Sequence, residues 1–299
     1  MIKKMLIAIS MSIINVILFV AVIAGEMKQI AGLASISGLF LGFAIPNAIH
    51  KIQDCTDTSN WNVSLRKLLR GKVISKQSLI RISFAYLYRI QIDGKYLLVK
   101  NARGTQKFQP VGGAYKYNET EKDYLSKNFC VVDDNKIPID KGSKQDYRMY
   151  VYTKNLKKFV RRFNKTQNRE TIKNLSREFK EEMIKTGIVD FDHIEYRYCG
   201  RHFTDVQYSR FFDCFELLLA DIIEFIPNNE QEMKLRELMD ADTDKYIFAT
   251  DMQIKTCGVE ENSTNMLEKI SDHAIKILQE TEDQLMIKKK EKRKYIITF

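Results

Sequence analysis

The sequence predicts an α+β protein in which an N-terminal helical hairpin precedes a domain of strands and helices. Three observations lead to this fold class. The chain opens with two uncharged runs of twenty residues each, at 5–24 and 30–49. From residue 79 onward, short segments alternate apolar and polar residues as strands do. Charged segments with apolar residues at helical spacing lie between these strands and after them.

The two apolar runs have the length of membrane-spanning helices. At about 1.5 Å per residue, each run makes a helix of about 30 Å, the thickness of the hydrocarbon core of a bilayer. Neither run has the polar face of a soluble amphipathic helix, and no small-residue cleavage site follows the first run. We therefore expect a transmembrane hairpin within residues 1–52. A pair of buried core helices is the alternative.

Positive charges flank this predicted hairpin on one side. Lys3 and Lys4 precede the first run and Lys51 follows the second, whereas the connecting loop holds one Lys and one Glu. The positive-inside rule then places both chain ends in the cytoplasm. Gly38 and Gly42 form a G-x-x-x-G in the second run, a spacing that lets helix backbones approach closely in lipid, and it suggests self-association.

Residues 53–74 are expected to be a juxtamembrane linker, and residue 75 to begin the cytoplasmic domain. The five cysteines of the chain include no C-x-x-C pair, which argues against a zinc site or a disulfide framework. The net charge of +10 is concentrated in two basic segments, at 154–165 and in a tail at 286–299. Because the charge is not spread over the domain, we expect neither DNA nor RNA as a partner.

The domain is expected to contain strands before and after a central helical region. Strands are predicted at 79–88, in a hairpin at 89–100 that turns at Asp93-Gly94, at 108–116, at 194–203 and at 210–226. Helices are predicted at 154–165, 168–186, 229–239 and 271–289. Residues 117–150 are expected to be irregular, and residues 245–254 extended or turned.

Three glutamates stand out in the second of these helices. Glu178, Glu181 and Glu182 are spaced i, i+3 and i+4, so they share one helix face. Like charges on one face repel each other, and a divalent cation would compensate them because hard cations bind clustered oxygens. A solvated acidic face without a ligand is the alternative for these residues taken alone.

With its upstream context, this segment resembles the Nudix family, whose motif reads G-x5-E-x7-R-E-U-x-E-E-x-G-U, where U is an apolar residue. Gly113, followed after five residues by Glu119, matches the opening, and residues 177–182 (REFKEE) match the centre. The resemblance implies a Nudix-like α/β/α sandwich over residues 75–285. It also implies that Glu178, Glu181 and Glu182 bind Mg²⁺, and it makes Gly112 and Gly113 candidates for ligand binding.

The chain departs from the motif in two places. Fifty-seven residues separate Glu119 from Arg177 where the pattern has seven, which implies a large insertion at about 120–168. The closing glycine, Gly187, lies three residues further along than in the pattern, because four residues separate it from Glu182 where the pattern has one. The displaced glycine implies a helix about one turn longer and a displaced following loop, and the insertion would disturb the route by which a Nudix substrate enters.

A membrane hairpin joined to a divergent Nudix-like domain is similar to the two-transmembrane effectors of bacterial cyclic-oligonucleotide anti-phage (CBASS) systems, the SMODS-associated Nudix class. The resemblance implies an inner-membrane protein of abortive infection. Its cytosolic domain would bind a cyclic nucleotide made after infection. The membrane helices would then oligomerise and disrupt the bilayer.

Three functions remain open at this stage. In the first, a cyclic nucleotide binds the domain through a basic helix face, Lys157, Lys158, Arg161, Arg162 and Lys165, whose alternative is a solvated surface. In the second, the protein is a membrane-anchored, Mg²⁺-dependent pyrophosphohydrolase of nucleoside diphosphate derivatives that uses Glu178, Glu181 and Glu182. In the third, it is a membrane-anchored scaffold for a protein partner. We expect binding rather than hydrolysis.

Overall fold

The computed structural model describes residues 2–56, 61–101, 106–134, 136, 143–241, 243–259, 269–278 and 293–299. The chain divides into two compact units, Met1–Asn60 and Trp61–Phe299. The fold class is mixed α+β, with an apolar N-terminal helix and a sheet-rich second unit, as the sequence predicts.

The first unit consists of two helices, α1 Ile2–Met27 and α2 Ala31–Thr56. They pack against each other, and the Asn15 side-chain amide donates a hydrogen bond to the Ala44 carbonyl at 3.4 Å. Among the described residues, one segment, Ile9–Met27, is long and apolar enough to cross a membrane. The apolar part of α2, Gly32–Ala48, is shorter.

The second unit alternates strands with short helices. In chain order its elements are α3 Trp61–Arg70, β1 Leu79–Arg89, β2 Gln91–Ile92, β3 Lys95–Lys100, β4 Phe108–Gln109, β5 Gly112–Ala114, α4 Glu119–Phe129, β6 Val132–Asp133, β7 Arg148–Tyr152, α5 Leu156–Lys165, α6 Arg177–Phe179 with a π-helical turn Lys180–Ile184, β8 His193–Phe203, β9 Gln207–Ser209, β10 Cys214–Phe225, α7 Asn229–Met239, β11 Tyr246–Ala249, α8 Asp251–Lys255, a 3₁₀ helix Asp272–Ile277, and β12 Lys294–Thr298.

These strands form two sheets. Within the described residues, the larger sheet has eight strands in the order β12-β8-β10-β1-β7-β6, with β5 added to β1 and β9 to β10. Strand β1 runs parallel to β10 and antiparallel to β7 and β5. The smaller sheet has four strands, β11-β3-β2 with β4 on β3, and the predicted hairpin turns at Asp93, whose φ is 48°.

The core is built on the two faces of strand β1, because successive side chains of a strand point to opposite faces. Phe84, Tyr86 and Tyr88 belong to one buried cluster, together with residues of α5 and α6. Leu87 belongs to a second cluster that includes Leu98 of the smaller sheet and residues of α8 and the 3₁₀ helix. Helices cover the first face, whereas the smaller sheet and short helical elements cover the second.

The prediction that residues 117–150 are irregular is wrong in part. Helix α4 occupies Glu119–Phe129, and its N-cap Asn118 accepts a hydrogen bond from the Glu121 backbone amide. Strand β7 begins at Arg148 and pairs with β1. The predicted insertion at about 120–168 thus contributes a sheet strand and two helices to the core. Helix α4 was not predicted because most of its residues are polar and its three buried residues, Glu121, Leu125 and Phe129, lie about one turn apart.

Helix 168–186 is also shorter than predicted. Residues before Ser176 form turns, because the Arg169 and Glu170 side chains bond to nearby backbone groups instead of pointing to solvent. Helix α6 then widens into the π-helical turn before Gly187. This wider turn accommodates the residues that separate the glutamates from the closing glycine.

The C-terminal predictions need correction. The closing helix predicted at 271–289 is a 3₁₀ helix that ends at Ile277, and residues 279–289 of that prediction lie outside the described residues. The predicted basic tail at 286–299 ends in strand β12, which pairs with β8 from Lys294↔Arg197 to Thr298↔His193. Alternating apolar residues, Tyr295, Ile297 and Phe299, pack against the core, so this segment completes the sheet.

The expected linker at 53–74 contains helix α3, which belongs to the folded unit. Trp61 and Leu65 are 5% and 2% exposed and lie one turn apart on its buried face. The surface they bury is large for a ten-residue helix, because an aromatic side chain contributes most of it. Helix α3 therefore anchors the entry of the chain into the second unit.

We predict that Trp61→Ala lowers the free energy of unfolding of the second unit by about 3–5 kcal/mol, because it removes a buried aromatic side chain. The matched control is Lys67→Ala on the exposed face of the same helix, with an expected change within about 0.5 kcal/mol. Urea denaturation followed by near-ultraviolet circular dichroism measures both. Equal stability of the two variants would contradict the assignment of Trp61 to the core.

Candidate functional site

The predicted glutamates lie where α6 meets strands β4 and β5. Two consecutive glycines of β5 make this close approach possible. Gly112 has a φ of 152°, and a Cβ at this position would overlap the Tyr86 carbonyl of β1. A Cβ on Gly113 would overlap the Glu178 carboxylate. The double glycine therefore brings the α6 carboxylates directly onto the sheet.

Arg177 organises one side of this site. Its guanidinium donates to Glu178 Oε1 at 2.6 Å, to Glu170 Oε1 at 2.8 Å and to the Ala114 carbonyl at 2.8 Å. Glu181, whose side chain is 42% exposed, lies 3.6 Å from the same guanidinium. One cation thus holds three carboxylates and the end of β5 together.

Glu182 lies on the sheet side of the site. Its Oε2 accepts the Gly112 backbone N–H at 2.9 Å, and its Oε1 lies 3.4 Å from the Gln109 amide nitrogen. Burial raises the pKa of Glu182 from 4.5 to about 8, and the neighbouring charge of Glu178 adds to the rise. Burial also raises the pKa of Glu178, although Arg177 opposes it. Burial therefore disfavours the ionised form of both carboxylates, and Arg177 does not fully compensate for this effect.

The site could offer Mg²⁺ two carboxylates, those of Glu178 and Glu182. Among the described residues there is no group of three His, Cys, Asp or Glu side chains placed to hold a metal ion, so the expected three-glutamate ligand set is not formed. Mg²⁺ is commonly held by one or two carboxylates together with water and substrate phosphates. Glu178 and Glu182, which repel each other, are the residues that would hold it. Bound there, the ion would supply Lewis-acid activation of water against a phosphoanhydride.

We predict that the contribution of Glu182 to the free energy of unfolding falls as pH rises from about 4.5 to 8, because folded Glu182 retains a proton that the unfolded chain releases near pH 4.5. The Gln side chain of Glu182→Gln cannot ionise. The free energy of unfolding of this variant, relative to that of wild type, should therefore rise by at least about 1 kcal/mol between pH 5 and 8.5. Denaturation in the presence of a chelator measures this difference. A pH-independent difference would contradict the raised pKa.

Magnesium provides the complementary measurement. At pH 8.5, Mg²⁺ should raise the melting temperature of wild type and should leave that of the double variant Glu178→Gln, Glu182→Gln unchanged, because ligand binding to the folded state stabilises it. Glu181→Gln, which changes an exposed carboxylate, is the control and should keep most of the response.

Glu119, which matches the opening of the motif, does not join this site. It lies exposed on α4 and accepts a hydrogen bond from the Gln145 amide at 2.6 Å. Glu170 stands beside Arg177 instead and accepts the Lys116 backbone N–H at 2.8 Å. No spacing pattern singles out Glu170 in the sequence, because its position depends on the turns that precede α6. Gln109, on β4, was also missed, because its contact with Glu182 depends on a partner 73 residues further along the chain.

The predicted basic residues lie on α5. Leu156, Phe159, Val160 and Phe163 face the core, and the Phe163 ring stacks on Phe84 with centroids 3.7 Å apart. Four cationic side chains point to solvent on the opposite surface, namely Lys157, Lys158, Arg161 and Lys165. The structure brings these four together on a rigid helix, away from the described contacts of the glutamate site.

Arg162 differs from its neighbours. It donates to both carboxylate oxygens of Glu121, at 3.0 and 2.6 Å, and its guanidinium lies 3.8 Å from the centroid of the Tyr124 ring. Burial tends to raise the pKa of Glu121, but hydrogen bonds from Arg162, Thr166 and Tyr147 outweigh burial and hold it below its usual value. Arg162 therefore joins α5 to α4, and its role is structural.

We predict that Arg162→Met costs about 3 kcal/mol of unfolding free energy at pH 7, because it leaves Glu121 buried without its cation. Lys158→Met on the same helix should change stability by less than about 0.5 kcal/mol. The gap between wild type and Arg162→Met should narrow as pH falls below about 4.5, since protonated Glu121 no longer needs the cation. Denaturation at pH 3.5 and 7 tests both statements.

Gly38 and Gly42 lie on an exposed face of α2. A Cβ at either position would meet no atom within 4 Å, so the packing of α1 on α2 does not use them. Both glycines are therefore available for contact with another helix.

Comparison with known proteins identifies the family of the chain. Residues 79–278, more than half of the chain, match the family model of the SMODS-associated NUDIX domain. The match covers the larger sheet except β12, the smaller sheet, α5 and the glutamate site. No curated protein and no solved structure matched the chain.

Proposed function

The chain belongs to the SMODS-associated NUDIX domain family, and on this premise we propose that it is the membrane effector of a CBASS anti-phage system. The observation that carries the proposal is the occurrence, in one chain, of this domain and an N-terminal helix long and apolar enough to cross a bilayer. In this function, the domain binds a cyclic nucleotide made after infection. Binding then drives the N-terminal helices to oligomerise and disrupt the inner membrane.

The cyclic nucleotide binds through its phosphates to the exposed basic face of α5. Lys157, Lys158, Arg161 and Lys165 supply charged donors, and charge-assisted hydrogen bonds to phosphate are about twice as strong as neutral ones. The helix is held to the sheet by Phe159 and Phe163, both 0% exposed, so the donors are presented with little loss of backbone freedom. Arg162 is excluded from this role by its bonds to Glu121.

Titration calorimetry of full-length protein with a panel of cyclic di- and trinucleotides tests this step. Lys157→Glu with Arg161→Glu should weaken binding at least about tenfold, a loss of about 1.4 kcal/mol. The control, Lys95→Glu with Lys234→Glu, changes net charge equally at exposed positions on β3 and α7 and should bind as wild type does. Equal affinity of the two variants would show that the ligand does not bind on α5. Absence of binding across the panel would overturn the proposal.

In the membrane, α1 and α2 form a two-pass hairpin with both ends in the cytoplasm. The exposed Gly38 and Gly42 supply a small-residue surface on which hairpins of neighbouring copies associate. Dye release from liposomes that contain the protein should begin on addition of the bound nucleotide. Gly38→Ile with Gly42→Ile should bind nucleotide normally and release at least about fivefold less dye, because bulky side chains separate the helix backbones. The control is Phe40→Ile with Phe43→Ile, at positions 57% and 69% exposed on another face of α2.

A second function, hydrolysis of a nucleotide pyrophosphate, is favoured by one observation, the buried Glu178 and Glu182 pair. In that function the pair holds Mg²⁺, and Arg177 orients Glu178. Release of nucleoside monophosphate from dinucleotide substrates in the presence of Mg²⁺ is the test. Turnover that is lost in Glu178→Gln, Glu182→Gln and retained in Lys157→Glu, Arg161→Glu would support hydrolysis, whereas no turnover on a broad panel would reject it.

A further inference from the structure

The turns between α5 and α6 place one further carboxylate beside Arg177. Glu170 lies in these turns, and its side chain is 17% exposed. Its Oε1 accepts a hydrogen bond from Arg177 Nε at 2.8 Å, and its Oε2 lies 3.3 Å from Arg177 Nη2. Oε2 also accepts the Lys116 backbone N–H at 2.8 Å. Both oxygens of Glu170 are therefore occupied by donors of the protein.

The backbone of Glu170 is held by groups other than Arg177. Its N–H donates to the Lys116 carbonyl at 2.9 Å, just beyond β5. The Arg169 guanidinium donates to the Glu170 carbonyl and, at 2.9 Å, to the Phe163 carbonyl of α5. The same guanidinium lies 3.7 Å from the centroid of the Phe163 ring. Glu170 is thus joined to the chain after β5 and to α5, so its position does not depend on Arg177 alone.

Arg177 divides its donors between Glu170 and the carboxylates of α6. Nε and Nη2 face Glu170, and Nη2 also donates to the Ala114 carbonyl at 2.8 Å. Nη1 donates to Glu178 Oε1 at 2.6 Å. Because the guanidinium is planar and its donors form a rigid fork, a partner on one edge determines where the other donors point. Glu170 therefore determines the direction from which Arg177 holds Glu178.

The charge of Glu170 acts on the same site. The positive charge of Arg177 lies beside Glu178 and would repel a cation bound there, since like charges repel each other. The Glu170 carboxylate contacts the guanidinium through both oxygens and offsets its charge. With Arg177 compensated in this way, the carboxylates of Glu178 and Glu182 attract a cation more strongly.

We propose that Glu170 is a positioning residue of the glutamate site, which orients Arg177 and offsets its charge so that Glu178 and Glu182 bind a divalent cation more tightly. Residues that hold the groups around a metal without touching it typically contribute about 10- to 100-fold to metal affinity. The proposal rests on the magnesium site of the second proposed function. It requires neither nucleotide binding on α5 nor turnover.

A purely structural role for Glu170 is the alternative, because its bonds also join the chain after β5 to α6. The two roles differ in what a substitution changes. A structural contact stabilises the folded protein whether or not a cation is present, and its loss leaves the cation affinity unchanged. Loss of a positioning residue weakens cation binding itself.

Titration calorimetry of Mg²⁺ into the full-length protein at pH 8.5 measures this affinity. The variant Glu170→Gln keeps the size of the side chain and removes its charge. We expect its dissociation constant for Mg²⁺ to be at least about tenfold above that of wild type. The melting temperature without Mg²⁺, measured on the same samples, reports the structural contribution separately.

The matched control is Glu119→Gln, which removes the same charge from a carboxylate that is 63% exposed on α4. Its dissociation constant should equal that of wild type. A second variant, Glu170→Asp, keeps the charge but shortens the side chain, so it reaches the guanidinium less well. We expect its dissociation constant to rise at least about threefold.

The results separate the role of Glu170 from the magnesium site. If the dissociation constant of Glu170→Gln stays within about threefold of wild type, the positioning role is overturned and the magnesium site stands, even where the melting temperature falls. The same conclusion follows if Glu119→Gln weakens binding equally. If circular dichroism shows that Glu170→Gln does not fold, the criterion passes to Glu170→Asp. A wild-type chain that does not bind Mg²⁺ would overturn the magnesium site and this inference together.

Discussion

Strand β1 has to be buried on both faces, and the second unit is arranged around that requirement. Along its eleven residues, β1 hydrogen-bonds to β10 on one side and to β7 and β5 on the other. Its alternate side chains enter two separate clusters, with Phe84, Tyr86 and Tyr88 on one face and Leu87 on the other. Both faces of β1 are buried, so each needs neighbouring elements to cover it. The helices supply it on the first face, and the smaller sheet with the 3₁₀ helix supplies it on the second.

The residues between the two halves of the Nudix motif are part of this cover. Strand β7 lengthens the sheet beside β1, and α5 packs two phenylalanines on it. The Arg162 bond to Glu121 then joins α5 to α4. The inserted chain therefore supports the first face of β1, and its exposed surface carries the four cations proposed to bind phosphate. Support of the sheet and the proposed phosphate binding thus involve opposite faces of one helix.

The glutamate site depends on the same strand through the double glycine. Because β5 pairs with β1 at Gly112 and Gly113, α6 approaches until Glu178 lies against Gly113 and Glu182 accepts the Gly112 N–H. Burial of these carboxylates raises the pKa values of Glu178 and Glu182, and the neighbouring carboxylates add to the rise. Arg177 limits the repulsion and leaves the site attractive to a cation. The same geometry suits a structural cation and a catalytic one.

By itself, the sequence determined the elements whose pattern is local. The length of the apolar runs predicted the N-terminal helix pair, and the alternation of apolar and polar residues predicted β1, β8 and β10. The Asp93-Gly94 turn predicted the β2–β3 hairpin. Apolar residues at helical spacing predicted α5 and α7. The arginine and glutamates of α6 were found because their spacing is also local. Tertiary structure decided what depends on distant partners. It placed Glu170 beside Arg177, paired Arg162 with Glu121, made the end of the basic tail into β12, and buried Trp61. In each case the deciding group, such as Glu121 for Arg162 or β8 for β12, lies far away along the chain, and only folding brings the two together.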